Sequence, residues 1–303
     1  GNDSVSGGDG ADTLVLEDGF GTDTLTGGEG GADNDLIDLS VVSVGATVTF
    51  TGNEAGTITD GTSTASFAET ERLTLTELAD SFDATADTAG TQVAAGAGDD
   101  TLTGGIGDDL LDGGDGADTF IVLDGFASDT ILGGGARDTI DLSALSAPVT
   151  VTFNSDAAGT IDDGTSTLSF DGIEYLILSE GADLVDATAD SLGTEIDALE
   201  GDDSVLGGSG ADTVRAGDGN DTLDGAAGDD ILSGDAGDDS LSGGAGDDAL
   251  DGGSGSDTLL GSTGSDSLAG GLGNDSVSGG DGADTLVLED GFGTDTLTGG
   301  EGG

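Results

Sequence analysis

Gly225-Ala-Ala-Gly-Asp-Asp-Ile-Leu-Ser, Gly234-Asp-Ala-Gly-Asp-Asp-Ser-Leu-Ser, Gly243-Gly-Ala-Gly-Asp-Asp-Ala-Leu-Asp and Gly252-Gly-Ser-Gly-Ser-Asp-Thr-Leu-Leu follow one another without a break. They are copies of one nonapeptide, G-G-x-G-x-D-x-U-x with U apolar, which holds phase for ten copies from Ala198 to Val287. The apolar position is Val205, Val214, Leu223, Leu232, Leu241, Leu250, Leu259, Leu268, Val277 and Leu286. One apolar residue in nine cannot make a helix face, which needs them at i, i+3, i+4 and i+7. It suits a solenoid in which each copy is a tight glycine turn followed by a short strand. Two copies then form a coil, and stacked coils bury two aliphatic ladders. A disordered Gly/Asp linker has no need of phase.

The turn half has the chemistry of a hard-cation site. Glycine permits the positive φ of a tight bend, and such a bend points backbone carbonyls inward. Calcium takes six to eight oxygens from carboxylates and carbonyls. The carboxylate comes from position six: Asp203, Asp212, Asp221, Asp230, Asp239, Asp248, Asp257, Asp266, Asp275 and Asp284 in the long block. Asp100, Asp109 and Asp118 occupy the same position in a second block, and Asp3 and Asp12 near residue 1. These fifteen aspartates are the expected metal ligands.

Charge supports the same ligand. The formal net charge is −61, from 64 acidic and three basic residues, with 3% aromatic content. High net charge with few aromatics is a disorder signature, so the fold needs a counter-ion and is expected to require calcium. The acidity also opposes nucleic acid and anionic membrane surfaces, and no apolar run is long enough to span a membrane. Cys, His, Met, Trp and Lys are absent. This removes zinc-protease, Ser-His-Asp and Cys-His chemistry; with no G-x-S-x-G elbow and no G-K-[ST] loop either, the chain is read as a non-enzyme. Asp33-Asn34-Asp35 opens like an EF-hand loop but lacks its glycine and closing glutamate. An ice-binding Thr face is disfavoured because Leu206, Arg215, Asp224, Asp251 and Leu260 interrupt it.

Two longer repeats lie above the nonapeptide. Residues 1–31 and 273–303 are identical, so the chain contains one 272-residue period and the start of another. Within the period, the stretch from Ile37 to Phe67 parallels that from Ile140 to Phe170 at an offset of 103. The expected organisation is 1–35 repeats, 36–94 a Thr/Val/Phe-rich β segment, 95–138 repeats, 139–197 a duplicate of 36–94, 198–287 ten continuous nonapeptides, and 288–303 the start of the next period. The two β segments keep apolar anchors at near-regular spacing (Phe50, Ile58, Phe67, Leu75, Phe82, Val93). They read as calcium-free or calcium-poor rungs of the same stack, with an inserted β-sandwich as the alternative. Pro148 precedes a strand start, where proline is tolerated.

The nonapeptide phase resembles the RTX (repeats-in-toxin) calcium-binding proteins. That resemblance implies an all-β fold, a right-handed parallel β-roll or β-solenoid, in which many Ca2+ ions sit between adjacent turns on each side. The repeat aspartates and backbone carbonyls would hold them. It also implies secretion, by type I export from a Gram-negative bacterium, with folding on arrival in calcium-rich medium. Weak extracellular-type sites work at about 0.1–1 mM. The chain departs from the pattern at Ala198, Leu199, Ala216, Ala226, Asp235 and Ser262, which replace early glycines. Two roles follow as expectations. One is a secreted structural repeat of an extracellular filament, adhesin stalk or surface matrix, whose partners are neighbouring identical repeats. The other is a C-terminal folding and secretion module of an exported enzyme or toxin whose active domain lies outside this chain.

Overall fold

The structure is a computed structural model that describes residues 1–28, 34–287 and 293–300. Every regular element among them is a β-strand, most of three to six residues. The chain divides into two compact units, Gly1–Asp141 with Ser166–Ile173, and Leu142–Thr165 with Glu174–Gly303. Both are β-solenoids.

In the second unit the nonapeptide phase converts directly into strand register. Ser204–Leu206, Thr222–Asp224, Ser240–Ala245, Thr258–Thr263 and Ser276–Asp281 pair in parallel, eighteen residues apart, in one sheet. Glu195–Asp197, Thr213–Asp218, Ile231–Ala236, Ala249–Asp251 and Ser267–Ala269 form the other. Because alternate strand residues face opposite ways, each three-residue strand turns only its middle residue inward. Val205, Leu223, Leu241, Leu259 and Val277 stack as one buried ladder, and Ile196, Val214, Leu232, Leu250 and Leu268 as the other.

The first unit follows the same plan with larger core residues. One ladder runs Leu14, Ile37, Leu73, Val93, Leu111, Ile131 and Phe170. Another runs Val48, Phe82, Leu102, Phe120 and Ile140. The 36–94 segment thus supplies parallel rungs, as expected, through Arg72–Thr74, Ser81–Asp83 and Gln92–Ala97. It also does something the apolar spacing did not indicate. Thr47–Gly52, Ala55–Thr59 and Thr64–Ala68 form an antiparallel meander, of which Thr47–Gly52 also pairs in parallel with Ser81–Asp83.

The meander is made by two tight turns. Glu54 sits at φ 52° in the first. In the second the Asp60 carboxylate accepts the Thr62 and Ser63 N–H groups at 2.8 and 2.5 Å. Phe50 packs edge-on against Phe67 and Phe82, with centroids 5.1 and 5.7 Å apart. In the second unit Thr150–Ser155 and Ala158–Asp162 repeat the antiparallel pair, and Thr150–Ser155 lies parallel to Leu184–Asp186.

Candidate metal centre

Position six of the nonapeptide ends each turn and enters a strand, and its side chain turns back under the turn. The two carboxylate oxygens have different surroundings. Oδ1 accepts the backbone N–H of the position-six residue one coil earlier. On one side of the second unit the column runs from Asp203 N to Asp221, Asp221 N to Asp239, Asp239 N to Asp257 and Asp257 N to Asp275, at 2.7–3.0 Å. On the other it runs from Asp212 N to Asp230, Asp230 N to Asp248, Asp248 N to Asp266 and Asp266 N to Asp284, at 2.8–3.2 Å.

In most of them Oδ2 has no such partner; Asp109 and Asp212 are exceptions, their Oδ2 accepting the Gly105 and Gly208 N–H groups at 2.7 and 3.0 Å. In Asp12, Asp100, Asp118, Asp203, Asp221, Asp230, Asp239, Asp248, Asp257 and Asp266 it is buried without a hydrogen bond. Burying a carboxylate oxygen unpaired is costly unless a cation meets it. In all of these turns except those of Asp100, Asp203 and Asp221, the space it faces is left open by a glycine at the first position. A Cβ placed on Gly252 would stand 2.6 Å from Asp257 Oδ2 and 2.7 Å from the Gly270 carbonyl oxygen. One on Gly7 would stand 2.6 Å from both Asp12 Oδ2 and the Gly27 carbonyl oxygen. Each cradle therefore combines a carboxylate with a carbonyl of the next coil, the oxygen set that suits calcium. Among the described residues no three Asp or Glu side chains cluster on one point, so carbonyls would have to supply part of a donor set.

Burial raises the carboxylates. Asp203 is pushed up to about 7 by desolvation, with Asp183, Asp221 and Asp202 adding repulsion against the opposing pull of the Asp183 N–H. Asp100 is likewise raised to about 7, and Asp221, Asp230 and Asp257 to about 6. These sites hold negative charge under strain, and a cation would relieve it.

Of the fifteen aspartates expected from the sequence, Asp100, Asp109, Asp118, Asp203, Asp212, Asp221, Asp230, Asp239, Asp248, Asp257, Asp266 and Asp275 are buried in the columns. Asp12 and Asp284 are partly exposed, and Asp3 is exposed. The columns also contain aspartates that the motif missed. Asp35 and Asp138 are buried and accept the Asp12 and Asp118 N–H groups at 2.8 Å, and Asp129 accepts the Asp109 N–H at 2.9 Å. Their coils are longer than eighteen residues, which takes them out of phase. Asp138 carried a visible signal, since Gly133 and Gly134 open its turn and only position four is changed, to Ala136. Asp35 belongs to this column and not to an EF-hand; Asp33 lies outside the described residues.

The departures at early glycines have a local explanation. At the position-two departures the backbone is left-handed: Leu199, Ala226, Asp235 and Ser262 have φ of 74°, 67°, 67° and 77°, which L-residues adopt at modest cost. At position four Gly255 has φ 148°, and a Cβ there would collide with the Gly237 carbonyl; position four of all ten copies is glycine. Ala95, Ala198 and Ala216 stand at position one, so the turns of Asp100, Asp203 and Asp221 carry a methyl where the others leave the cradle open.

The model of the RTX calcium-binding nonapeptide repeat matches this chain over 89–144 and 197–294, just over half of its residues. The chain belongs to that family. Among curated proteins no sequence match was found. A solved structure, the extracellular lipase LipA from Serratia marcescens, aligns with 57% of this chain at 20% identity and a TM-score of 0.27. The aligned part is 33% of the lipase chain, and a likeness at this level says nothing of activity.

Proposed function

We propose that this chain is a secreted, calcium-binding structural repeat of an extracellular filament, stalk or surface matrix, folded and stiffened by Ca2+. The carrying observation is the pairing of buried, partnerless Asp Oδ2 atoms with open glycine cradles at Asp12, Asp118, Asp230, Asp239, Asp248, Asp257 and Asp266. The position-six aspartates and the carbonyls opposite them would hold the ions. Bound calcium would neutralise the columns and tie each coil to the next. The role is read as non-catalytic: the position-six carboxylates form equivalent rows, none set apart from the others. Identical residues at 1–31 and 273–303 favour a tandem array. Millimolar-range calcium sites suit an extracellular location.

The test is a calcium titration followed by far-UV circular dichroism, reversed with EGTA and repeated with magnesium. A cooperative gain of β-signal at about 0.1–1 mM calcium, absent with magnesium, is expected. Full β-signal in chelator would overturn the reading. The second role, a folding and secretion module of an exported enzyme or toxin, separates from the first by sequence on either side of this chain. Further identical units mark a filament, and an adjoining catalytic domain marks a module.

A further inference from the structure

The two Thr/Val/Phe-rich segments hold buried aspartates that stand in the same columns, or four residues before a column position, but in a different state. Asp80 and Asp183 continue the columns: the Asp80 N–H donates to Asp100 Oδ1 and the Asp183 N–H to Asp203 Oδ1, both at 2.7 Å. Their own carboxylates are filled by protein donors. Asp80 accepts the Ala46 N–H, the Thr76 N–H at 2.7 Å and the Thr76 hydroxyl at 3.0 Å. Asp183 accepts the Val149 N–H at 2.6 Å, the Ser179 N–H at 2.9 Å and the Ser179 hydroxyl at 2.9 Å.

The opposite side repeats the arrangement. Asp87 accepts the Thr91 hydroxyl at 2.7 Å and the Thr88 N–H at 2.9 Å. Asp190 accepts the Thr194 hydroxyl at 3.0 Å and the Gly193 N–H at 2.9 Å. All four aspartates are buried. Thr91 and Thr194 then donate their N–H groups to Asp109 and Asp212, the first motif aspartates on that side, at 2.7 and 2.8 Å. In each segment a hydroxyl four residues from the aspartate does the work assigned to a cation elsewhere. Each segment also ends by presenting two aimed N–H groups to the first motif carboxylates that follow.

We propose that the segments 36–94 and 139–197 fold without calcium and serve as templates on which the calcium-dependent coils assemble. The proposal rests on the calcium reading above. Three features make the segments self-sufficient. Their buried carboxylates are saturated by the chain itself. Their cores hold phenylalanines and isoleucines, and larger apolar groups stabilise more on burial. The Asp60 turn closes the first meander with local bonds.

The experiment is hydrogen–deuterium exchange, read by mass spectrometry on the full chain, in EGTA and in calcium. In EGTA, peptides covering 72–94 and 175–197 are expected to stay protected while those covering 222–287 exchange like an unfolded chain; calcium then protects both. Tyr175, the only tyrosine, lies at the start of the strand Tyr175–Ile177. Its near-ultraviolet dichroism should survive EGTA. The double variant Thr76→Val with Ser179→Ala should raise exchange of both segments in EGTA about tenfold or more, while leaving 222–287 protected in calcium. If the wild-type segments exchange in EGTA as fast as 222–287, the template proposal is overturned and the calcium reading stands. If 222–287 is itself protected in EGTA, the calcium reading fails and the proposal falls with it.

Discussion

The position-six aspartate uses one oxygen for the preceding coil and the other for the cradle, which makes its neighbour at position five an internal control. Asp238 is exposed, and its Oδ1 accepts the Ser256 N–H at 2.7 Å on the outside of the stack. Asp239 is buried, and its Oδ2 has no partner. Asp239→Asn should therefore raise the calcium midpoint of the β-transition, and Asp238→Asn should leave it near wild type; equal effects would show that only bulk charge matters. The cradle makes a steric prediction as well. Gly252→Ala should remove one ion from the stoichiometry measured by calorimetry while the coil still stacks. Gly255→Ala, at a φ essentially reserved for glycine and against a carbonyl, should lower stability by about 1–3 kcal/mol or more.

Protonation follows from burial. Asp100 and Asp203, raised to about 7, and Asp221, Asp230 and Asp257, raised to about 6, bind protons more tightly folded than unfolded. In chelator the resulting stabilisation is complete below about pH 4, where the unfolded chain is protonated too. It is lost as pH rises through 6 to 7. Acidification in EGTA should thus restore part of the β-signal, and apparent calcium affinity at fixed ionic strength should fall as pH drops from 8 to 5.5, since ligands must be deprotonated to bind metal. A β-signal in EGTA that does not change between pH 8 and 4.5 would contradict this.

A strand of three residues buries one side chain and depends on its stack. Leu241 lies between Leu223 and Leu259, and Leu241→Ala should cost about 2–5 kcal/mol, read as a higher calcium midpoint. Phe50 is held by aromatic contacts inside a meander, and Phe50→Ala should destabilise 47–68 by about 3–5 kcal/mol, read by hydrogen exchange in that segment. The long block was fully legible from its phase, because one apolar residue in nine permits little except a roll. The meander was less so. Its signal was present in Asp60-Gly61 and Asp163-Gly164, each between alternating apolar residues, a strong hairpin pattern; anchor spacing alone does not separate a parallel rung from an antiparallel return. Asp35, Asp129 and Asp138 escaped because their coils carry extra residues, and Asp80 and Asp183 because their turns replace glycine with hydroxyl donors.

Across the whole chain, charge sets the conditions for folding. With a net charge of −61, repulsion opposes compaction until cations enter, and screening alone acts on exposed charges far more than on buried ones. Raising sodium chloride in EGTA should therefore not reproduce the calcium-induced β-signal. If high salt sufficed, the columns would be acting through diffuse charge and not as sites.

Eighteen-residue spacing between near-identical coils carries a hazard of its own. A sequence with translational symmetry can pair one coil out of step and still bury its aliphatic ladders, since weakly specified strands are prone to slip. Within 198–287 little distinguishes one setting from the next. In the second unit the antiparallel pair Thr150–Ser155 and Ala158–Asp162, which lies beside Leu184–Asp186, and the Arg215–Asp235 ion pair at 2.5 Å break that symmetry, as unequal graduations do on a vernier. Such irregular coils would give a stack an origin from which the remaining coils are counted.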